Sequence, residues 1–208
     1  IVYAADHGCD VINLSWGSNF PSVALKEALD YAVSRGTLPV AASGNAGHLE
    51  NFHSYPAAYD NTLAVGASNS LDEVTYFSSY GDHIDVVAPG RDILSLRADS
   101  LDPYELEPWV HIVAERYYLM DGTSMAAPCV TGLAAYLRAL APQLGVDSLR
   151  RLIELSADDI VYPYGGDSLY APGKDVYSGY GRVNLNRALG LVSGRLVDIV
   201  KPAVNQPV

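Results

Sequence analysis

Short apolar runs ending in small polar turns alternate along the chain with stretches of helical spacing. Val11 to Leu14 is such a run, as a buried parallel strand would be. Pro21 and Ser22 open a helix in which Leu25, Ala28, Leu29, Ala32 and Val33 recur at helical spacing, with Gly36 after its last turn. Residues 38–43 (LPVAAS) read as the next strand and end in the loop Gly44-Asn45-Ala46-Gly47. Residues 63–67 (LAVGA) and 84–90 (IDVVAPG) read as two more strands. A helix is predicted from Ser124 to about Leu140, with Val130, Leu133, Ala134 and Leu137 on its apolar face and Pro142 ending it. Asp147 or Ser148 is expected to cap a further helix carrying Leu149, Leu152 and Ile153 on one face. Residues 179–190 (GYGRVNLNRALG) form a strand-like turn into a short helix. The alternation predicts an α/β fold: an open, mostly parallel sheet flanked by helices.

Three segments break the pattern. Between Arg97 and Asp121 stand Asp99, Asp102, Glu105, Glu107 and Glu115, with Arg116 the one other basic residue, and Pro103 and Pro108. Residues 97–121 therefore read as a long acidic surface loop or insertion. The first residues open as the tail of a helix before a turn at Gly8, so the chain reads as a portion of a larger domain. Residues 193–208 lose helical periodicity and gain proline, as a linker toward a further domain would. Residues 1–192 are left as one domain portion.

Composition narrows the partners. The chain has 208 residues, 49% of them apolar and 18% charged, enough to bury a sizeable core. No run of about 18 apolar residues occurs, so no membrane span is expected. A formal charge of −11 argues against nucleic acid and anionic membrane surfaces as partners. Cys9 and Cys129 sit far apart in apolar elements and are expected to be two buried free thiols.

The chemistry centres on Ser124. Gly122 permits a tight turn, Ala126 and Ala127 leave room for a substrate, and Pro128 suits the first turn of a helix. A serine at a helix N-terminus lies where backbone N–H groups and the helix dipole favour negative charge. Position alone favours a plain N-cap over a nucleophile. Asn45, likewise, is an ordinary turn residue on position alone.

The string Gly122-Thr123-Ser124-Met125-Ala126-Ala127-Pro128 resembles the nucleophile motif of the subtilisin-like serine proteases, the subtilases. Further segments resemble the same family in the same order. They are Ser15-Trp16-Gly17, Ala41-Ala42-Ser43-Gly44-Asn45, Tyr55-Pro56-Ala57, 63–67, Phe77-Ser78-Ser79-Tyr80-Gly81, Val87-Ala88-Pro89-Gly90 and Gly179-Tyr180-Gly181-Arg182-Val183-Asn184. The resemblance spans roughly Val2 to Leu191 and implies the C-terminal part of a subtilisin-like, three-layer catalytic domain. It implies Ser124 as nucleophile and Asn45 as oxyanion donor beside the Ser124 N–H. Ser15, Trp16, Gly17, Ala42, Ser43 and Gly44 would line the substrate, an extended polypeptide lying as an added strand.

A serine hydroxyl needs a general base. In subtilases the Asp and His motifs precede the serine along the chain, and neither is found here. His7 lacks the rest of the histidine motif and reads as structural. His48 and His53 flank the loop after Asn45, while His83 and His111 read as surface residues. The Asp and His are thus expected from an upstream half of the same domain, and this chain alone is expected to be inactive. The resemblance requires no cofactor for chemistry and allows structural Ca²⁺, for which carbonyls of Ala57, Tyr59 and Thr62 are the region of interest. It implies a secreted or extracellular parent protein. The competing readings are a degenerate subtilase domain acting as a scaffold, and an esterase or amidase using the same serine.

Overall fold

The computed structural model describes residues 1–47, 53–97, 110–160 and 172–194. In chain order the elements are α1 (Val2–Asp6), β1 (Val11–Leu14), α2 (Val23–Ser34), β2 (Leu38–Ala42), β3 (Leu63–Ser68), β4 (Val86–Pro89) and β5 (Ile93–Leu96). Then come β6 (Val110–Ala114), β7 (Tyr117–Met120), α3 (Thr123–Leu140), α4 (Val146–Ser156) and α5 (Leu185–Val192). The Ser22 side chain caps α2 by accepting the Leu25 N–H. Asn184 caps α5 in the same way through the Arg187 N–H.

Strands β1 to β4 form one parallel sheet in that order, with Leu14 opposite Ala41, Ala42 opposite Val65, and Val65 opposite Val86. Every residue of β2 and β3 is buried, which explains why both read as unbroken apolar runs. Alternate side chains divide between the two faces. Leu38, Val40, Leu63, Val65, Val86 and Ala88 pack with Val130, Leu133, Leu137, Leu149 and Ile153 of α3 and α4. Leu14, Ala41 and Ala64 pack on the other face with Leu29 of α2, Ala57 and Tyr59. This is the three-layer α/β architecture expected, and α3 contacts all four strands.

The segment 97–121 differs from expectation. Residues 98–109 lie outside the described residues, but β6 and β7 pair antiparallel with β5 in a second sheet of order β5-β7-β6. Acidic residues dominated the reading of this stretch and hid the β-branched and aromatic content of Ile112, Val113, Tyr117 and Tyr118. At α4, Gly145 is the N-cap and Asp147 stands in the first turn, so neither Asp147 nor Ser148 caps it. The expected linker falls almost wholly in residues 195–208, outside the described residues. Among the described residues, no helix is long and apolar enough to cross a membrane.

Candidate active site

The carboxyl ends of parallel strands carry the site, as is general for open α/β sheets. Ser15 follows β1, Asn45 lies three residues beyond β2, and Ser124 opens α3. The N-cap of α3 is Gly122, without a side-chain cap, so Ser124 lies inside the first turn. Its hydroxyl donates to the Ser15 carbonyl at 3.3 Å. The capping role that position alone favoured is therefore absent.

Pro128 stands in the second turn of α3, one turn later than expected. An α-helical residue there would donate its N–H to the Ser124 carbonyl, four residues back. Proline has no N–H to give. The Ser15 hydroxyl takes that place, donating to the Ser124 carbonyl at 2.9 Å. Ser124 is thus held by strand β1 as well as by its own helix.

Asn45 is exposed on its loop and fixed by Thr123. Its Oδ1 accepts the Thr123 N–H and the Thr123 hydroxyl, each at 2.9 Å. The hydroxyl oxygen in turn accepts the Gly44 N–H at 3.2 Å. With the amide oxygen committed, the Nδ2 donors are aimed away from Thr123, beside the Gly122 turn. The Ser124 N–H belongs to the first turn of α3, whose donors have no partner within the helix. The Asn45 Nδ2 and the Ser124 nitrogen thus both flank Gly122, 3.3 and 3.7 Å from where a Cβ on it would lie.

A cleft of about 270 Å³ opens in front of these groups, lined by Trp16, Gly17, Ala42, Gly44, Asn45 and Ser124, together with Thr123, Asn19, Ala46 and Ser54. Backbone hydrogen bonds of 2.8 Å in both directions between Ser18 and Tyr55 hold its two walls together. Gly17 lets the walls approach closely: a Cβ on it would lie 2.2 Å from the Ser54 Oγ and displace that hydroxyl. Most of the substrate-lining residues named from sequence meet in this cleft. Ser43 does not. It is fully buried, and its hydroxyl donates to the Ser79 carbonyl, so it braces the loop from behind. Ser15 does not line the cleft either; it acts on Ser124 directly. Thr123 was missed, and its place beside Ser124 in the motif was the available signal. A larger cleft of about 520 Å³, lined by Leu144, Leu152 and Leu191 among others, shares no residue with the first.

The other flagged residues have structural places. His7 ends α1, with its Nδ1 2.8 Å from the Tyr3 carbonyl. His48 lies outside the described residues. Cys9 and Cys129 are free, as expected, but exposed rather than buried. Cys129 lies on the outer face of α3, and partial burial of its sulfur pushes the thiol pKa up, which disfavours the reactive thiolate. For Ca²⁺, the region after Tyr55-Pro56 already holds cations of the chain. The buried Asp85 carboxylate accepts two hydrogen bonds from Arg150, at 2.8 and 2.9 Å, and lies 3.7 Å from the Lys174 ammonium. Arg150 also donates to the Asp60 carbonyl, and the Tyr59 carbonyl accepts the Thr62 N–H.

The sequence profile described as the subtilase family matches residues 1–190. The chain belongs to the subtilase family. Among its relatives, the thermophilic serine proteinase of Bacillus sp. (strain AK1) is 40% identical over 189 residues, covering 91% of this subtilase chain and 40% of the relative. Thermitase of Thermoactinomyces vulgaris is 35% identical over 189 residues, covering 91% and 57%. The crystal structure of fervidolysin from Fervidobacterium pennivorans, a keratinolytic enzyme related to subtilisin, superposes with a TM-score of 0.75 at 35% identity, covering 90% of this subtilase and 27% of that chain. The chain thus spans between about two fifths and three fifths of these two curated relatives.

Proposed function

We propose that this chain is the nucleophile-bearing part of a serine endopeptidase. The observation that carries the reading is the convergence of the Ser124 hydroxyl, the Ser124 N–H and the oriented Asn45 amide on one cleft. Ser124 Oγ attacks the scissile carbonyl carbon. Its proton passes to a histidine base as the Oγ–C bond forms, and the oxyanion is held by the two N–H groups. Collapse expels the amine, protonated by that histidine, and water then hydrolyses the acyl-enzyme.

The base and its aspartate come from the upstream half of the domain. In support, the Ser124 hydroxyl is bonded to the Ser15 carbonyl, which accepts hydrogen bonds but takes no proton, and among the described residues no histidine lines the cleft. This chain by itself is accordingly inactive. Substrates are extended polypeptides laid along the Ser15–Gly17 segment, with the exposed Trp16 at the rim. The exported setting of the parent protein belongs to the same reading.

Fluorophosphonate labelling, mapped by peptide mass spectrometry, tests it. Label on Ser124 in the complete protein and none on this chain alone is expected. No label on the complete, folded protein, freed of any propeptide, would favour a non-catalytic scaffold. Labelling of the isolated chain with casein cleavage that Ser124→Ala abolishes would overturn the upstream-base assignment.

A further inference from the structure

Beside the loop that walls the cleft stands a group of side chains unused by this chemistry. We propose that His53, Asp82 and His83 bind one divalent transition-metal ion of the zinc type. One ligand atom from each lies within 4.8 Å of the others. His53 Nε2 is 3.9 Å and His83 Nδ1 4.0 Å from the same Asp82 oxygen. The two imidazole rings lie 4.9 Å apart.

Tetrahedral bonds of about 2.0–2.1 Å place neighbouring donor atoms roughly 3.4 Å apart. The site closes to that size by movement of its two exposed members. The Asp82 side chain is 89% and that of His53 44% exposed, so neither is packed into the core and an inward shift needs no repacking there. His83 is the fixed member, with a side chain only 9% exposed.

His83 supplies the independent indication. The sequence placed it on the surface, yet both its ring nitrogens are buried with no hydrogen-bond partner among the described residues. Buried polar atoms are nearly always partnered, so an orphaned imidazole asks for an explanation. A metal on Nδ1 engages one nitrogen and fixes the proton on the other. Gly81 keeps the approach open, because a Cβ there would lie 2.8 Å from His83 Nδ1. Lys174 is the opposing charge nearby, and its ammonium lies 3.7 Å from the Asp85 carboxylate.

Two imidazoles and one carboxylate with an open fourth position suit zinc and its neighbours, whereas calcium and magnesium favour all-oxygen shells. The ion would tie the turn before β4 to the loop whose next residue, Ser54, lines the cleft. Its occupancy would stiffen that wall.

The test uses the complete protein, stripped with a chelator and titrated with Co²⁺, then with Zn²⁺. The visible absorption of four-coordinate cobalt should appear at one equivalent and be displaced by zinc. Asp82→Asn and His53→Gln, both at exposed side chains that the fold tolerates, should each weaken binding about tenfold or more. His83→Gln should remove it. No visible band, or a band whose affinity is unchanged in both Asp82→Asn and His53→Gln, would overturn the site. The readout is spectroscopic, so it stands or fails separately from the peptidase reading.

Discussion

Ser15 and Ser124, 109 positions apart in the chain, exchange two hydrogen bonds: hydroxyl of each to carbonyl of the other, at 2.9 and 3.3 Å. The first fills the acceptor that Pro128 leaves without a helical donor. Ser15→Ala should therefore cost about 1 kcal/mol of stability in urea unfolding, and slow labelling of Ser124. In a Pro128→Ala background, which restores an N–H to the helix, the same substitution should cost less. Equal penalties in both backgrounds would show that the two residues do not share this acceptor.

Thr123 orients Asn45. Asn45→Ala in the complete protein should lower kcat about 10²–10³-fold, the range established for such a donor in subtilisin, itself a relative of this chain. Thr123→Val removes one of two hydrogen bonds to the Asn45 oxygen and strands the Gly44 N–H. A fall in kcat of roughly tenfold, with KM little changed, is expected from peptide hydrolysis kinetics.

Gly90 underlies the Gly122 turn. Its carbonyl accepts the Gly122 N–H at 2.7 Å, and a Cβ on it would lie 2.6 Å from the Ala67 Cβ and 2.8 Å from the Gly122 carbonyl oxygen. Gly90→Ala should destabilise by about 1–3 kcal/mol. It should also displace the turn that presents Ser124, which slower labelling of the folded variant would register.

Asp158 joins the end of α4 to the closing turn. Burial alone would raise its pKa. Hydrogen bonds from Asn184, Arg187 and Arg182 outweigh that and hold the carboxyl below the ordinary 3.8. A depressed folded-state value adds stability that is fully present above 3.8 and is lost as pH falls below it. Asp158→Asn should be less stable at neutral pH, with a flatter decline below pH 3.8, as followed by unfolding at stepped pH.

The parallel sheet and helix α3 were legible because burial on both faces forces continuous apolar runs, and because Ser124 sits in a long, specific string. Position alone favoured a cap for Ser124; its hydroxyl is bonded instead to the Ser15 carbonyl just beyond β1, a partner 109 positions away that the local sequence does not report. Pro128 misled by one turn, because a missing N–H is harmless in the first turn and equally harmless wherever another donor steps in. Residues 110–120 were read by charge when their strand-forming side chains decided the outcome. His83 was read as a surface residue from its place before a strand and outside any motif, and a side chain's burial depends on contacts that neighbours in sequence do not report.

Helix α3 closes over all four parallel strands, and that has a kinetic side. Asn45 is 78 positions from Thr123 and Ser15 is 109 from Ser124, so no local segment can assemble them. Closing such long loops costs entropy that is recovered only as the sheet and α3 dock. The oriented amide and the anchored hydroxyl therefore arise late in folding, together and cooperatively. Partly folded chains carry the serine without these partners, which are gathered only when the sheet is complete.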